Sequence, residues 1–221
     1  MDDLKLIVEN INSKKLDLAL KQCEDYNVKE NIYLINNFIG VIYSLKNNQG
    51  LAEDFFKKSH KLNEKFEDPL KNLYLINIRK KNYSEAINIA QKLSNLNSTN
   101  DLFVYQLAYA YELNNNNLLA IENYEKCKNL NGKNKLKALN NIGNIYLKNN
   151  KPKTSLKYFL EANEIIKNDK IIINNILLNY IKLKDENKSD EYFEISKKLD
   201  SEYIEFIYNE AQYYIFKEKF D

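Results

Sequence analysis

Turn chemistry is scarce in this sequence: 221 residues hold only four glycines and two prolines. A β-sandwich or barrel needs a Gly, Pro, Asn or Asp turn about every eight to twelve residues, so the chain is expected to be mostly helix joined by short turns. Histidine occurs once, at His60, in the polar context KKSHKLNEK, which reads as an exposed helix face. With two widely separated cysteines, Cys23 and Cys127, no disulfide framework is indicated. A zinc site, which needs several His or Cys ligands at short spacing, is not indicated either. The glycines stand alone at 40, 50, 132 and 143, leaving no glycine-rich loop to cradle a phosphate. No apolar run approaches the roughly 18 residues of a membrane span. Met1 leads into DDLKLIVENI without the basic start and long apolar core of a signal peptide. Charge of one sign is also missing: 33 Lys and Arg against 31 Asp and Glu leave +2, not the concentrated basic charge of a nucleic-acid binder. The expectation is a cytoplasmic protein without a cofactor, a metal, or a nucleic-acid or membrane partner.

What is present is a hydrophobic fraction of 44%, enough for a core, and heavy use of Asn, Lys, Ile and Tyr. That usage is expected of an AT-rich genome. The 36 asparagines amount to about one residue in six, so an asparagine carries information only where its position does.

Position is informative because the chain repeats. Residues 37–43 read NFIGVIY and residues 140–146 read NNIGNIY, a separation close to three periods of 34. A fixed period of this size marks a repeat architecture. Gly40 is followed by Tyr43, Ala52, Phe56 and Ser59; Gly143 is followed at the same spacing by Tyr146, Ser155, Phe159 and Ala162. Between them Ala108 leads to Tyr111, Ala120, Tyr124 and Cys127, and beyond them Leu177 leads to Tyr180, Ser189, Phe193 and Ser196. Residues 67–100 fit more loosely through Leu73, Tyr74, Ala86, Ala90 and Leu93, and Ala19 and Cys23 fit a degenerate first unit.

This order of small, aromatic, small, aromatic, small residues over 34 positions resembles the tetratricopeptide repeat family, here without its tryptophan and unit-ending proline. The resemblance covers nearly the whole chain and implies an all-α, right-handed α-solenoid of about six helix-turn-helix units plus a terminal single helix. Boundaries fall at about 1–32, 33–66, 67–100, 101–134, 136–169 and 170–203, with a part-unit at 204–221, all in one domain, 1–221. Each unit has two apolar stripes of helical period separated by polar stretches such as LKNNQG, so units must stack to bury both faces. Pro152 suits the first turn of a second helix, and Asp68–Pro69 reads as an N-cap followed by a first-turn proline. Gly40 and Gly143 are expected to face the second helix of their own unit, whereas Tyr74 and Leu177 at the same position imply wider spacing. The 204–221 segment carries Ile204, Phe206, Ile207, Tyr214, Ile215, Phe216 and Phe220 where a capping helix would be polar on its outer face. This end is expected to be covered by a partner, a second copy or a continuation of the chain.

Catalytic chemistry is absent from the pattern. Pairs such as Glu53–Asp54 and Glu24–Asp25 lie on polar faces, and Cys23 and Cys127 occupy packing positions of the repeat, so the chain is not expected to be an enzyme. The resemblance places ligands on the concave face lined by the first helix of each unit. Two residues before the small position stand Phe38, Asn72, Gln106, Asn141, Asn175 and Asn209. A primary amide both donates and accepts hydrogen bonds, so this ladder suits the backbone of an extended peptide; a similar ladder is known in the repeat domains of protein O-GlcNAc transferases. Lys71, Tyr105, Tyr109, Asn140 and Asn144, with Asn37 and Asn174, flank it, the two tyrosines standing one helical turn apart. The carboxylate clamp of chaperone-binding members is not matched: Lys71 and Lys137 fit, but Leu75, Gln106 and Asn141 replace other members. The expected function is an interaction scaffold holding an extended peptide or partner protein in its groove. The alternative is the substrate-recruiting repeat portion of a modifying transferase, of glycosyltransferase or sulfotransferase type, whose catalytic domain is missing or separate.

Overall fold

The computed structural model describes residues 2–130, 132–199, 202 and 204–218. Among them are thirteen α-helices, one short 3-10 turn at Lys29–Asn31 and no strand. The helices pair in chain order: α1 (Asp2–Asn12) with α2 (Leu16–Asp25), α3 (Ile32–Leu45) with α4 (Gln49–Leu62), and α5 (Glu67–Arg79) with α6 (Tyr83–Leu96). Then come α7 (Asp101–Leu113) and α8 (Asn117–Asn129), α9 (Lys135–Lys148) with α10 (Pro152–Ile165), and α11 (Lys170–Leu183) with α12 (Glu186–Leu199). A lone α13 (Ile204–Lys217) follows. Contacts group residues 1–98 with 109–115 into one unit and residues 99–108 with 116–221 into a second.

One backbone device makes every hairpin. The turn from first to second helix passes through a left-handed residue at Lys14, Asn47, Lys81, Asn115, Asn150 and Lys184, all with φ between 55 and 60°. Asparagine tolerates this region better than most residues, which accounts for three of the six. At three of these turns the next residue is an asparagine that caps the second helix: Asn48 accepts from the Leu51 N–H, Asn82 from Glu85 and Asn116 from Leu119. The KNN and NNN runs are therefore turn-and-cap chemistry. Pro152 takes the first position of α10, where its missing N–H costs no intrahelical bond. Asp68 is not an N-cap: α5 begins at Glu67 behind Phe66, so Asp68 and Glu67 supply negative charge to the first turn, where the helix dipole favours it.

Within the hairpins, small residues meet aromatic rings. A Cβ built on Gly40 would lie 2.6 Å from Phe56 Cε1, and one on Gly143 would lie 2.7 Å from Phe159 Cζ. Both rings are essentially fully buried. Neither glycine has positive φ, so it is space and not conformational freedom that requires them. In α5 and α11 Tyr74 and Leu177 stand in the glycine's place. Stacking between hairpins completes the cores. In the first unit Ile7, Ala19 and Cys23 pack with Ile35, Ile39 and Ile42. In the second, Leu139, Phe159 and Ala162 pack with Ile172, Ile173 and Ile176, and Leu177, Ile181 and Phe193 pack with Phe206, Tyr213 and Phe216. No hairpin closes its apolar faces alone.

The glycines supply a paired test. Gly143→Ala forces a methyl into a ring that has no room to retreat, an overpacking cost of ~1–3 kcal/mol that exceeds the helix-propensity gain. Gly50, inside α4, has only the Asn48 side chain at 3.9 Å near its would-be Cβ, so Gly50→Ala gains up to ~1 kcal/mol. Urea denaturation should show opposite signs for the two variants, with Phe159→Leu restoring part of the Gly143→Ala loss. Equal signs would refute the packing account.

Candidate functional site

The second unit brings most of the predicted groove residues onto neighbouring first helices. Tyr105 projects from α7, Asn140, Asn141 and Asn144 from α9, and Asn175 from α11, all half-buried. The Asn141 amide Nδ2 donates to the Tyr124 hydroxyl at 2.7 Å and to the Tyr105 hydroxyl at 3.2 Å. The two tyrosine rings lie 5.5 Å apart in a tilted pair. Asn175 Nδ2 donates to Asn140 Oδ1 at 3.2 Å. Amides and phenols of successive first helices are thus bridged directly, which fixes their rotamers before any ligand arrives. The Asn141 and Asn175 side-chain oxygens, the Asn140 Nδ2 and the whole Asn144 amide are left without a protein hydrogen bond among the described residues. Gln106 sits half-buried beside Tyr105 on α7.

Asn209 departs from the sequence expectation. It is only 3% exposed, and its Nδ2 donates to the Asn174 main-chain carbonyl at 3.0 Å. A buried amide has to be satisfied internally, and this one ties α13 to α11, so it is not offered to a ligand. Asn174 is likewise buried and turns its own Nδ2 back to the Lys170 carbonyl at 2.8 Å. Asn36, Asn77, Asn123 and Asn179 make the same i−4 back-bond, a side-chain option that lets asparagine sit inside a helix. Asn37 is buried in α3.

In the first unit Lys71 and Asn72 are half-buried on α5. Lys71 pairs with Asp68 at 3.0 Å and Glu67 at 3.3 Å, so its charge is already balanced locally. Tyr109, on α7 and also half-buried, belongs to this first unit.

The groups with chemical potential are placed for packing. Cys23 and Cys127 are buried, and burial pushes both thiols up to about 12, with Glu24 and Asp101 adding to the effect respectively. Cys127 Sγ donates to the Asp101 carbonyl at 3.3 Å, as the Ser59 hydroxyl at the matching repeat position donates to the Tyr33 carbonyl at 2.6 Å. The cysteine therefore stands in for a serine that ties second helix to first. No group of three or more His, Cys, Asp and Glu placed to hold a metal occurs among the described residues. No described helix is long and apolar enough to cross a membrane.

His60 is not on an open surface. It is half-buried, its Nδ1 has no hydrogen-bond partner, and it lines a cleft of 360 Å³ with Glu64, Leu70 and Lys92. Sequence context alone hides this, because the covering residues come from α5 and α6.

Sequence reading also missed the partners of the repeat tyrosines. Tyr43, Tyr146 and Tyr180 pair with Phe55, Tyr158 and Tyr192 at centroid distances of 5.7, 5.6 and 5.3 Å. The signal was available, since the partners obey the same period.

A family model for the tetratricopeptide repeat matches residues 103–134 and 136–169. No curated protein matches the sequence. Among solved structures, MamA protein is similar at a TM-score of 0.70 and 18% identity, over 78% of this chain and 93% of that one. The pilF protein of Pseudomonas aeruginosa has a TM-score of 0.70 at 14% identity, over 96% of both chains. YrrB, described as a TPR protein with an unusual peptide-binding site, has a TM-score of 0.60 at 20% identity, over 74% of this chain and 84% of that one. The fold is that of helical-repeat proteins of the solenoid class. Residues 103–134 and 136–169 are thus tetratricopeptide repeats by sequence, and the similar structures show the same fold.

His60 gives a pH test. Burial, reinforced by the Lys92 charge, lowers its pKa below the ordinary value, so the unfolded chain holds the proton more tightly than the folded one. The stability this contributes is fully present above the ordinary imidazole pKa of about 6.5 and is lost as pH falls through the depressed folded value. Denaturation curves from neutral pH downward should show wild type losing stability relative to His60→Gln. Parallel curves would place the imidazole in solvent.

Proposed function

We propose that the chain is a protein-interaction module that holds an extended peptide along the first-helix face of its second unit, where Tyr105, Asn140, Asn141, Asn144 and Asn175 meet. The observation that carries the reading is the bridged amide–phenol array. Asn140, Asn141 and Asn175 are held by one another and by Tyr105 and Tyr124, and with Asn144 they keep unused donors and acceptors for a peptide main chain. Main-chain recognition of this kind is indifferent to peptide sequence, and Tyr105 supplies an aromatic anchor of the sort that dominates binding surfaces. The tetratricopeptide fold and the peptide-binding site in the printed description of YrrB agree with it. Near-neutral charge favours a protein partner over nucleic acid. Gln106, beside Tyr105 on α7, is assigned a flanking role, and catalysis is assigned to no residue of this chain.

A random peptide library panned against the immobilised full chain should enrich binders. An Asn141→Ala/Asn175→Ala variant with Tyr105→Phe, checked for unchanged helicity by circular dichroism, should bind them at least tenfold more weakly, about 1.4 kcal/mol. Failure to enrich any binder, or undiminished binding by the variant, would overturn the reading.

A further inference from the structure

Charge in the second unit is sorted between the two kinds of helix. The first helices α9 (KLKALNNIGNIYLK) and α11 (KIIINNILLNYIKL) carry three lysines and two, and no aspartate or glutamate. Acids gather instead on the second helices, where lysines outside α9 and α11 balance them. Glu161 pairs with Lys128, Glu164 with Lys167, Glu191 with Lys188, and Glu186 and Asp190 with Lys217. The acids at the two ends of α11 are occupied as caps: Asp169 accepts from the Ile171 and Ile172 N–H groups, and Asp185 from that of Lys188.

The lysines of the first helices share a face with the amides. Lys137, Asn141, Asn144 and Lys148 stand at i, i+4, i+7 and i+11 of α9, one stripe of the helix surface, opposite the buried Leu139, Ile142 and Gly143. Ile171, Asn175, Leu178 and Lys182 repeat the stripe on α11, so Lys148 and Lys182 hold the same position in successive repeats. Lys137, Lys148 and Lys182 are exposed and have no ion pair among the described residues. Asn141 and Asn144 are each one helical turn, about 6 Å, from a lysine of their own stripe. That is inside the ~8 Å screening length at physiological salt, so the field of the ammonium groups reaches whatever the amides hold.

We propose that the peptide held on this face is acidic, its Asp or Glu side chains pairing with Lys148 and Lys182 while its main chain bonds the amides. This rests on the peptide-binding reading above and adds selectivity to it. Amides accept any main chain, whereas an unbalanced row of lysines favours acidic partners and repels basic ones. The centre of the stripe offers amides and Leu178 rather than further cations, and the single arginine of the chain, Arg79, lies in α5. A peptide with spaced carboxylates fits that pattern better than a continuous row of phosphates.

The test uses the full chain and three labelled peptides of equal length, with blocked ends, that alternate serine with Glu, Gln or Lys. Fluorescence polarisation should rank them Glu, Gln, Lys, with Glu ahead of Gln by roughly fivefold for two exposed ion pairs. That lead should shrink as salt rises from about 0.1 to 1 M, which cuts the screening length from about 10 to 3 Å. Lys148→Gln/Lys182→Gln should remove the lead and leave the Gln peptide and the helicity unchanged, whereas Asn141→Ala/Asn175→Ala should weaken all three peptides alike. Equal binding of the three peptides, or a lead that survives loss of both lysines, overturns the acidic assignment and leaves main-chain recognition standing. No binding of any peptide overturns both. An oligothymidylate that outcompetes the Glu peptide, and does so only while both lysines are present, overturns the assignment in favour of nucleic acid.

Discussion

The close approach of the two helices of a hairpin is the constraint on which the rest depends. At Gly40 and Gly143 a helix gives up about 1 kcal/mol of intrinsic propensity, and the position is filled by the ring of Phe56 or Phe159. Burying such a ring stabilises by roughly 1.5–3 kcal/mol, so the exchange favours the glycine. Helix pairs at this spacing put Ser155 within 2.8 Å of the Gly143 carbonyl and bring Tyr146 onto Tyr158. The serine–carbonyl bond depends on that approach; the ring pair does not, since Tyr180 lies 5.3 Å from Tyr192 where Leu177 replaces the glycine.

How much of this was legible in the sequence depends on the kind of interaction. Packing positions recur with the period, so Gly143, Phe159 and the helical-repeat fold were readable from spacing. The asparagines were not, because one residue type performs several jobs with the same composition. The structure sorts them. Asn47, Asn115 and Asn150 take left-handed turns, Asn48, Asn82 and Asn116 cap second helices, and Asn77, Asn123 and Asn179 bond back to their own helix. Each of these jobs is local, and the turn and cap jobs were in principle visible, since Asn in a short link between two apolar stripes has few alternatives. Asn141 and Asn209 could not be separated from sequence. They occupy the same repeat position, yet Asn141 meets tyrosine hydroxyls from two other helices and Asn209 meets a main-chain carbonyl. What distinguishes them is the long-range neighbour, which a repeat pattern does not encode.

The same limit applies to His60. Its flanking lysines and glutamate describe an exposed face, and that is true of its own helix. The neighbouring hairpin then lays Leu70 and Lys92 beside the ring. In a repeat protein every second helix has this ambiguity, because its outer flank is solvent only until the next unit stacks.

That ambiguity also explains why α13 differs from the helices before it. A first helix has one flank for the preceding unit and another for its own second helix. In α11 both are filled: Ile173, Leu177 and Ile181 are buried, and Tyr180 lies against Tyr192 of α12. In α13 the matching flank, with Ile207, Ala211, Tyr214 and Ile215, is exposed, and Tyr214 stands at the repeat position of Tyr180. A tyrosine presents an apolar body and a polar tip and is favoured where one end must stay wet. Tyr214 thus leaves half exposed the ring that Tyr43, Tyr146 and Tyr180 lay against an aromatic of their second helix.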